Sequence, residues 1–242
     1  MNWHARYVQQ ANWTRELRAY LFDKSGLAHA RNVLEVGCGT GAILADIHAS
    51  ASLHGLDLDP VALAQCRVHA PAALLTRGDA FSLPFPDEYF EIVFCHFFLL
   101  WVKDPLQAIT EMKRVTRQGE NILALAEPDY SARVDKPDEL ATLGQWQAES
   151  LRRQGADPSF GARLAETFHQ AGIRLVETGP IQGPEKRRSD EEWKQEWEVL
   201  ESDLAGIASA EEIHKMKVLD AAARAQDKRI LHVPTYFARG KA

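Results

Sequence analysis

Cysteine, methionine and surplus positive charge are all scarce in this 242-residue chain. Its three cysteines, Cys38, Cys66 and Cys95, are odd in number and show no C-x-x-C spacing. They read as reduced thiols of a cytoplasmic protein, not as a disulfide frame or a zinc site. With 28 Lys and Arg against 34 Asp and Glu, the net charge is −6. A broad basic face for nucleic acid is therefore not expected, and the short run Lys186-Arg187-Arg188 reads as a solvated loop. No apolar run reaches membrane-spanning length; the longest, 94–102, contains His96. The stretch Met1 to Arg6 has no apolar leader segment. Repeats and low-complexity segments are absent as well. What remains is a balanced composition, 45% hydrophobic, sufficient for one sizeable α/β core with an insertion or cap.

The chain is organised around Val33-Leu34-Glu35-Val36-Gly37-Cys38-Gly39-Thr40-Gly41. An apolar strand runs into a turn that needs positive φ, and glycine takes it without a Cβ clash. A helix expected over 40–49 would aim its unpaired N–H groups and positive dipole end at the same spot. A nucleotide-like ligand is the natural occupant.

Before that turn, Trp13, Leu17, Tyr20 and Leu21 recur at helical steps up to about Leu27, with Gly26 as a C-cap. This segment, residues 1–28, can lie over a crevice as a lid, and Tyr7, Trp13 and Thr14 are candidates for touching a ligand. The alternative is that these aromatics pack on the domain. After the turn come strands near 32–36, 52–56, 73–76, 91–95 and 121–126. Asp59-Pro60 and Asp104-Pro105 each combine an N-cap with a proline at the first helical position. Asp59 therefore caps a helix, whereas Asp57, at a strand's carboxyl end, is free to hold a ligand. Leu106, Ile109, Met112 and Val115 mark a buried helix face. Strands alternating with helices indicate a mostly parallel sheet covered on both faces, which binds ligands outside its carboxyl ends. Glu35, Gly37, Asp57, Asp79 and Cys95 all fall there. Past Pro128 the pattern gives helices over 139–154 and 161–171, with Gly172 as a cap, then a strand at 173–177. A charged helical stretch follows over 190–228, with Trp193, Trp197, Leu200 and Leu204 on one stripe. That stripe packs on the main domain or forms a cap over a substrate pocket. Residues 229–239 read as a closing edge strand.

Gly37-x-Gly39-x-x-Ala42, followed by Asp57, also satisfies a permissive dinucleotide fingerprint. The wider pattern resembles the class I S-adenosylmethionine-dependent methyltransferases. The segment 33–41 looks like their first motif and Gly55-Leu56-Asp57-Leu58-Asp59-Pro60 like the second. Gly78-Asp79-Ala80 with Leu83-Pro84-Phe85 resembles the third, and Asp104-Pro105 with Met112-x-Arg114-Val115 the helix before strand five. The match covers about 31–128 and is most similar to the ubiquinone and menaquinone group (methyltransferase type 11). Two departures are Arg117-Gln118-Gly119-Glu120 for a usual Lys-Pro-Gly-Gly, and Leu100-Trp101 where relatives often carry a histidine.

The resemblance implies an α/β, Rossmann-like, doubly wound and mostly parallel seven-stranded sheet with helices on both faces and a helical cap. Residues 29–128 would form the cofactor-binding core, and 129–242 would complete the sheet and supply the inserted substrate cap. The implied cofactor is S-adenosyl-L-methionine. Gly37, Cys38, Gly39 and Gly41 would carry its methionine part and Glu35 would face its ammonium. Asp57 would bind the ribose, Leu58 would cover the adenine, and Asp79 with Ala80 would read the adenine edge. Cys95 and His96 would line the sulfonium side. Phe97, Phe98, Trp101 and Tyr130 are candidates for a cage around positive charge or for plain core. His96 and Tyr130, and more remotely His232, are candidate bases if the acceptor must lose a proton. The Asp/Asn-Pro-Pro-aromatic signature of DNA amino-methyltransferases is absent: Cys95-His96-Phe97-Phe98 stands in its place. Glu127 and Asp129 could mimic the carboxylates of metal-dependent enzymes, but no metal is expected. The expectation is methyl transfer to a small molecule by in-line displacement, with no nucleic-acid or membrane partner. The alternatives are a non-catalytic cofactor-binding protein and an NAD-dependent oxidoreductase.

Overall fold

Alternation at period two governs the central sheet. In β1 (Asn32–Val36), β4 (Phe90–Cys95) and β5 (Thr116–Pro128), one set of side chains, Leu34, Val93, Cys95, Ile122 and Ala124, enters one apolar cluster. The intervening set, Val33, Ile92, Phe94, Leu123 and Leu125, enters another on the opposite face. Burial of both faces explains why these runs read as continuously apolar. The computed structural model describes residues 3–181 and 189–242, so Lys186-Arg187-Arg188 lies outside the described residues.

With β2 (Ser52–Asp57), β3 (Leu74–Arg77), β7 (Arg174–Pro180) and β9 (Thr235–Lys241), the sheet has seven strands in the order β3-β2-β1-β4-β5-β9-β7. All neighbours pair in parallel except β9, which is antiparallel to both β5 and β7. The expected closing strand therefore lies inside the sheet and not at its edge. The edge is β7, whose alternating exposed residues include Arg174, the kind of charge that blunts an open strand. The front part of the segment expected to close the sheet, β8 (Ile230–His232), pairs instead with β6 (Val134–Lys136) in a separate two-stranded ribbon.

The helices α3 (Pro60–His69) and α4 (Pro105–Val115) begin as expected. Asp59 accepts from the Val61 amide and Asp104 from the Gln107 amide, each just before a proline. The first helical stretch is two helices, α1 (Trp3–Trp13) and α2 (Arg15–Lys24), broken at Thr14. The helix expected over 40–49 does not form, and only a short 3₁₀ turn, Leu44–Asp46, occurs there. Residues 42–51 must retrace a five-residue strand, about 16 Å of sheet, and then turn into β2. Ten residues wound as α-helix would cover only about 15 Å and leave none for the turns, so the connection stretches.

After β5 the chain builds α5 (Ala141–Arg153), returns to the sheet through α6 (Leu164–Gln170) and β7, then forms α7 (Asp190–Leu204) and α8 (Ala210–Ala225). Serine capping boxes, Ser189 with Glu192 and Ser209 with Glu212, open the last two. Helices α5, α7 and α8 form a helical annex with its own core. The stripe residues Trp197, Leu200 and Leu204 pack there against Leu140, Leu143 and Ala223, so the stripe does not pack on the main sheet. No described helix is long and apolar enough to cross a membrane.

Buried charge closes the annex. Asp135 accepts from Arg133 at 2.7 Å and Arg229 at 2.6 Å, and Asp220 accepts from Trp197 Nε1 at 2.8 Å, Arg224 at 2.9 Å and Arg229 at 2.5 Å. Removing one partner of such a network strands the others without water. Asp220→Ala should cost about 3–5 kcal/mol in urea denaturation. An unchanged midpoint would show that the network does not hold the annex.

Candidate active site

Strand order reverses between β1 and β4, so the loops that follow them diverge and open a crevice at the carboxyl ends. A cavity of about 480 Å³ occupies it, within the range of small-molecule sites. Its floor is the glycine turn (Glu35, Gly37, Cys38, Gly39), Asp57 from the end of β2, and the loop after β4 (His96, Phe97, Phe98, Trp101). Its roof is α1 (Trp3, Arg6, Tyr7, Gln10) and the annex (Gln147, Leu151, Gln154, Val199, Asp203), with Tyr130 at the seam.

Glu35 is almost fully buried, and its Oε2 has no hydrogen-bond partner. Burial above all pushes its carboxyl well above the usual carboxylate range. Arg18, which acts on it electrostatically, is committed to Asp46 at 3.0 Å. An unpaired acceptor beside a cavity fits an incoming ammonium. Asp57 is less free than its position implies: Oδ2 accepts from the Gly39 amide at 2.7 Å and Oδ1 from the Asp59 amide at 2.9 Å. Each oxygen keeps a lone pair for a ligand hydroxyl.

Two glycines of the turn work differently. A Cβ on Gly37 (φ +73) would lie 2.2 Å from the Phe98 ring, whereas one on Gly41 (φ +81) would lie 2.6 Å from Cys66 Sγ of α3. The first glycine admits an aromatic wall to the cavity. The second packs turn against helix and does not line the cavity.

The other expected site residues divide in the same way. Tyr7 lines the cavity beside Gly39. Thr14 does not line it, but shares a 2.9 Å hydrogen bond with His96 Nε2. Trp13 turns away, its ring under the Arg6 guanidinium at 4.9 Å. Leu58 is 63% exposed beyond Asp57, outside the cavity lining. Asp79 is exposed and its Oδ1 accepts from the Phe81 amide at 2.9 Å, while Ala80 is buried in the core. Cys95 is fully buried with Sγ 3.8 Å from Glu127, so it does not face the sulfonium side as expected: the strand's alternation turns it into the core. Of the candidate bases, His96 is pushed down to about 3 by burial and then by Arg18, and Tyr130 is pushed up to about 12 by burial. Both are neutral near pH 7, and neither is tuned to take a proton there. His232 lies in the β6–β8 ribbon, outside the cavity lining.

The loop after β4 is shaped by Glu127, fully buried at the end of β5. Its carboxylate accepts from the Phe98 amide at 3.0 Å and the Leu100 amide at 3.3 Å. Phe97 in that loop holds φ +52, unusual for a side chain of its size. Glu127 thus anchors the loop.

The residues that sequence reasoning missed are on the roof. Trp3, Arg6 and Gln10 share one helical face with the expected Tyr7, and Gln147, Leu151 and Gln154 share another. Such i, i+4, i+7 polar-apolar spacing was the available signal, and it resembles an ordinary solvated face. The roof is tied down by His4 Nδ1 to Thr40 Oγ1 at 2.8 Å and by the ion pair of Arg6 with Glu196 at 3.2 Å.

Residues 34–124 match the family model of the methyltransferase domain. The chain is 34% identical over 145 residues to a phosphatidylethanolamine N-methyltransferase from Cereibacter sphaeroides, covering 54% of this chain and 70% of that one. This chain belongs to the S-adenosylmethionine-dependent methyltransferase family. Another relative in it is a malonyl-[acyl-carrier protein] O-methyltransferase from Halorhodospira halophila, 29% identical over 72% of this chain and 57% of its own. The chain thus spans little more than half the length of that relative. A crystal structure of a SAM dependent methyltransferase from Archaeoglobus fulgidus superposes with a TM-score of 0.59 at 17% identity, covering 96% of this chain and 94% of that one. At that identity the likeness shows the fold alone. The family's cofactor is S-adenosylmethionine, and the unpartnered Glu35 oxygen, in the cavity beside the Gly37–Gly39 turn, fits its charged methionine end.

The Glu127 carboxyl has a pH consequence. Burial raises it from an ordinary 4.5 to about 7, against the opposing pull of the Phe98, Leu99 and Leu100 amides. The folded state therefore holds this proton to higher pH than the unfolded chain does. Its contribution to stability is full below about pH 4.5 and is lost as pH rises through about 7. Relative to Glu127→Gln, the wild type should lose up to about 3 kcal/mol across that window. Urea titrations of both proteins from pH 4.5 to 8 check this, and parallel curves would contradict it.

Proposed function

We propose that the protein transfers a methyl group from S-adenosylmethionine to a small organic molecule, by in-line displacement, in the cavity between the sheet and its roof. One observation carries the reading: a single cavity joins the glycine turn to the annex, so cofactor and acceptor can share one space. The cofactor would supply a methyl group already activated as a sulfonium. Glu35 would accept from its ammonium, Asp57 from its ribose hydroxyls, and the Gly37–Gly39 backbone would lie along its methionine part. Leu58, Asp79 and Ala80 would serve the adenine on the open rim, and Gly41 would hold the turn against α3. Residues 1–28 would act as the lid, 29–128 as the cofactor-binding core, and 129–242 as the completion of the sheet with the substrate cap. Phe98, Trp101 and Tyr130 would exclude water and face the sulfonium, where aromatic faces favour positive charge. Alignment and dryness are the protein's contribution; neither His96 nor Tyr130 is tuned as a neutral-pH base. The free, buried cysteines support a reducing, cytoplasmic setting, and the net charge of −6 disfavours a nucleic-acid substrate.

Titration calorimetry with S-adenosylhomocysteine tests the cofactor roles. Asp57→Ala should weaken binding about ten- to a hundredfold, the worth of hydrogen bonds to a charged acceptor. Glu35→Gln should weaken it by a similar factor of about ten or more, yet leave the ligand-free protein as stable or more so, because it removes an uncompensated buried carboxylate. Unchanged dissociation constants would refute the assigned roles, and stabilisation by NAD alone would overturn the cofactor. Release of S-adenosylhomocysteine on incubation with a metabolite pool separates an enzyme from a binding protein.

A further inference from the structure

The annex end of the cavity has a charge balance of its own. Asp203, on the last turn of α7, lines the cavity and is half-buried. Its Oδ2 accepts from Gln147 Nε2 at 3.3 Å. No Lys, Arg or His among the described residues forms an ion pair with it. Arg6, a cation that acts on it electrostatically, donates instead to Gln9 at 2.7 Å and to Glu196 at 3.2 Å. Arg6 is thus ion-paired with Glu196, and among the described residues the Asp203 carboxylate has no ion-pair partner of its own. Its amide partner is itself fixed, because Gln147 Oε1 accepts from the buried Arg133. The rings of Trp3, Trp101 and Tyr130 line the same cavity, Tyr130 close enough for the Asp203 charge to act on it.

A carboxylate without a cation, set among aromatic faces, is the chemistry that receives an ammonium group. A carboxylate or phosphate acceptor would meet repulsion from Asp203 and find Arg6, the one Lys or Arg among the described lining residues, already paired. We propose that the acceptor is a compact amine, and that Asp203 determines this specificity by receiving its nitrogen as an ion-paired hydrogen-bond donor. The inference rests on the methyltransferase reading and narrows its acceptor to one chemical class. Burial raises the Asp203 carboxyl above its usual range, with the Gln147 and Gln154 amides opposing. An incoming ammonium would lower it again, the behaviour of an anchor lacking its partner.

The test uses the full chain saturated with S-adenosylhomocysteine and three probes of one shape: benzylamine, benzyl alcohol and benzoate, each titrated calorimetrically. Benzylamine should bind about tenfold or more tightly than either of the others. Asp203→Asn should abolish that preference with S-adenosylhomocysteine affinity unchanged, and Asp203→Glu should restore it. Equal binding of the three, preference for benzoate, binding of none, or a preference that survives in Asp203→Asn each overturns the inference. If S-adenosylhomocysteine itself fails to bind the wild type, the cofactor reading falls first and this inference with it.

Discussion

At the tip of β1 a carboxylate sits out of water with one oxygen left without a partner. Taking a charge out of water costs several kcal/mol unless something compensates it, and here the Arg18 charge and the Leu44 amide do so only in part, leaving the carboxyl well above its ordinary range. Arg18 lies deep enough to act on Glu35 but is committed to Asp46, the Ala11 carbonyl and the Thr14 hydroxyl. The turn that follows keeps its shape because Asp57, from the neighbouring strand, grips the Gly39 amide. Two acidic side chains thus define the floor with opposite logic. One has both oxygens bonded and fixes geometry; the other keeps one oxygen without a partner. A fold selected for stability alone would have no reason to keep the second.

The roof depends on different forces. Helix α1 touches both halves of the molecule, reaching Thr40 and His69 through His4 and the annex through Arg6. The annex has a small apolar core of its own, and its buried Arg–Asp network adds direction where hydrophobic packing adds none. A network in which each arginine is shared between fixed acceptors tolerates little rotation of α8 against the β6–β8 ribbon. That matters for the cavity, since Gln147 is at once a network member, through Arg133, and a lining residue. Order in the annex is passed to the pocket through that one amide.

Local chemistry was legible in the sequence; closure over distance was not. The Asp-Pro starts of α3 and α4 are decided within four residues, so they could be read directly. The same holds for the buried stripe of α4 and the apolar strands. The helix after the glycine turn was misjudged because its failure comes from the distance residues 42–51 must span, which no window of residues displays. The final strand was placed at the edge because its sequence does not say that β7 lies outside it. Cys95 was assigned to the cavity by its place at a strand end; β-strand alternation, counted from Val93, would have turned it inward. The roof was the least legible part. Trp3, Arg6, Gln147 and Asp203 come from three helices far apart in sequence, and only packing brings them over one space.

This division has a chemical meaning. The floor is built from strand ends and a glycine turn, where backbone groups do most of the recognition, and it suits a cofactor common to the whole family. The roof is built from helix faces, where side chains can change without moving the sheet. Of the relatives named above, one is named as an N-methyltransferase and another as an O-methyltransferase. Specificity for the acceptor must then reside in residues the shared motifs do not include. Charge decides among those residues before shape does, because within a low-dielectric cavity one uncompensated carboxylate outweighs many apolar contacts. In this chain that argument converges on Asp203, the acidic group of the roof whose partners are amides and whose open side is the cavity.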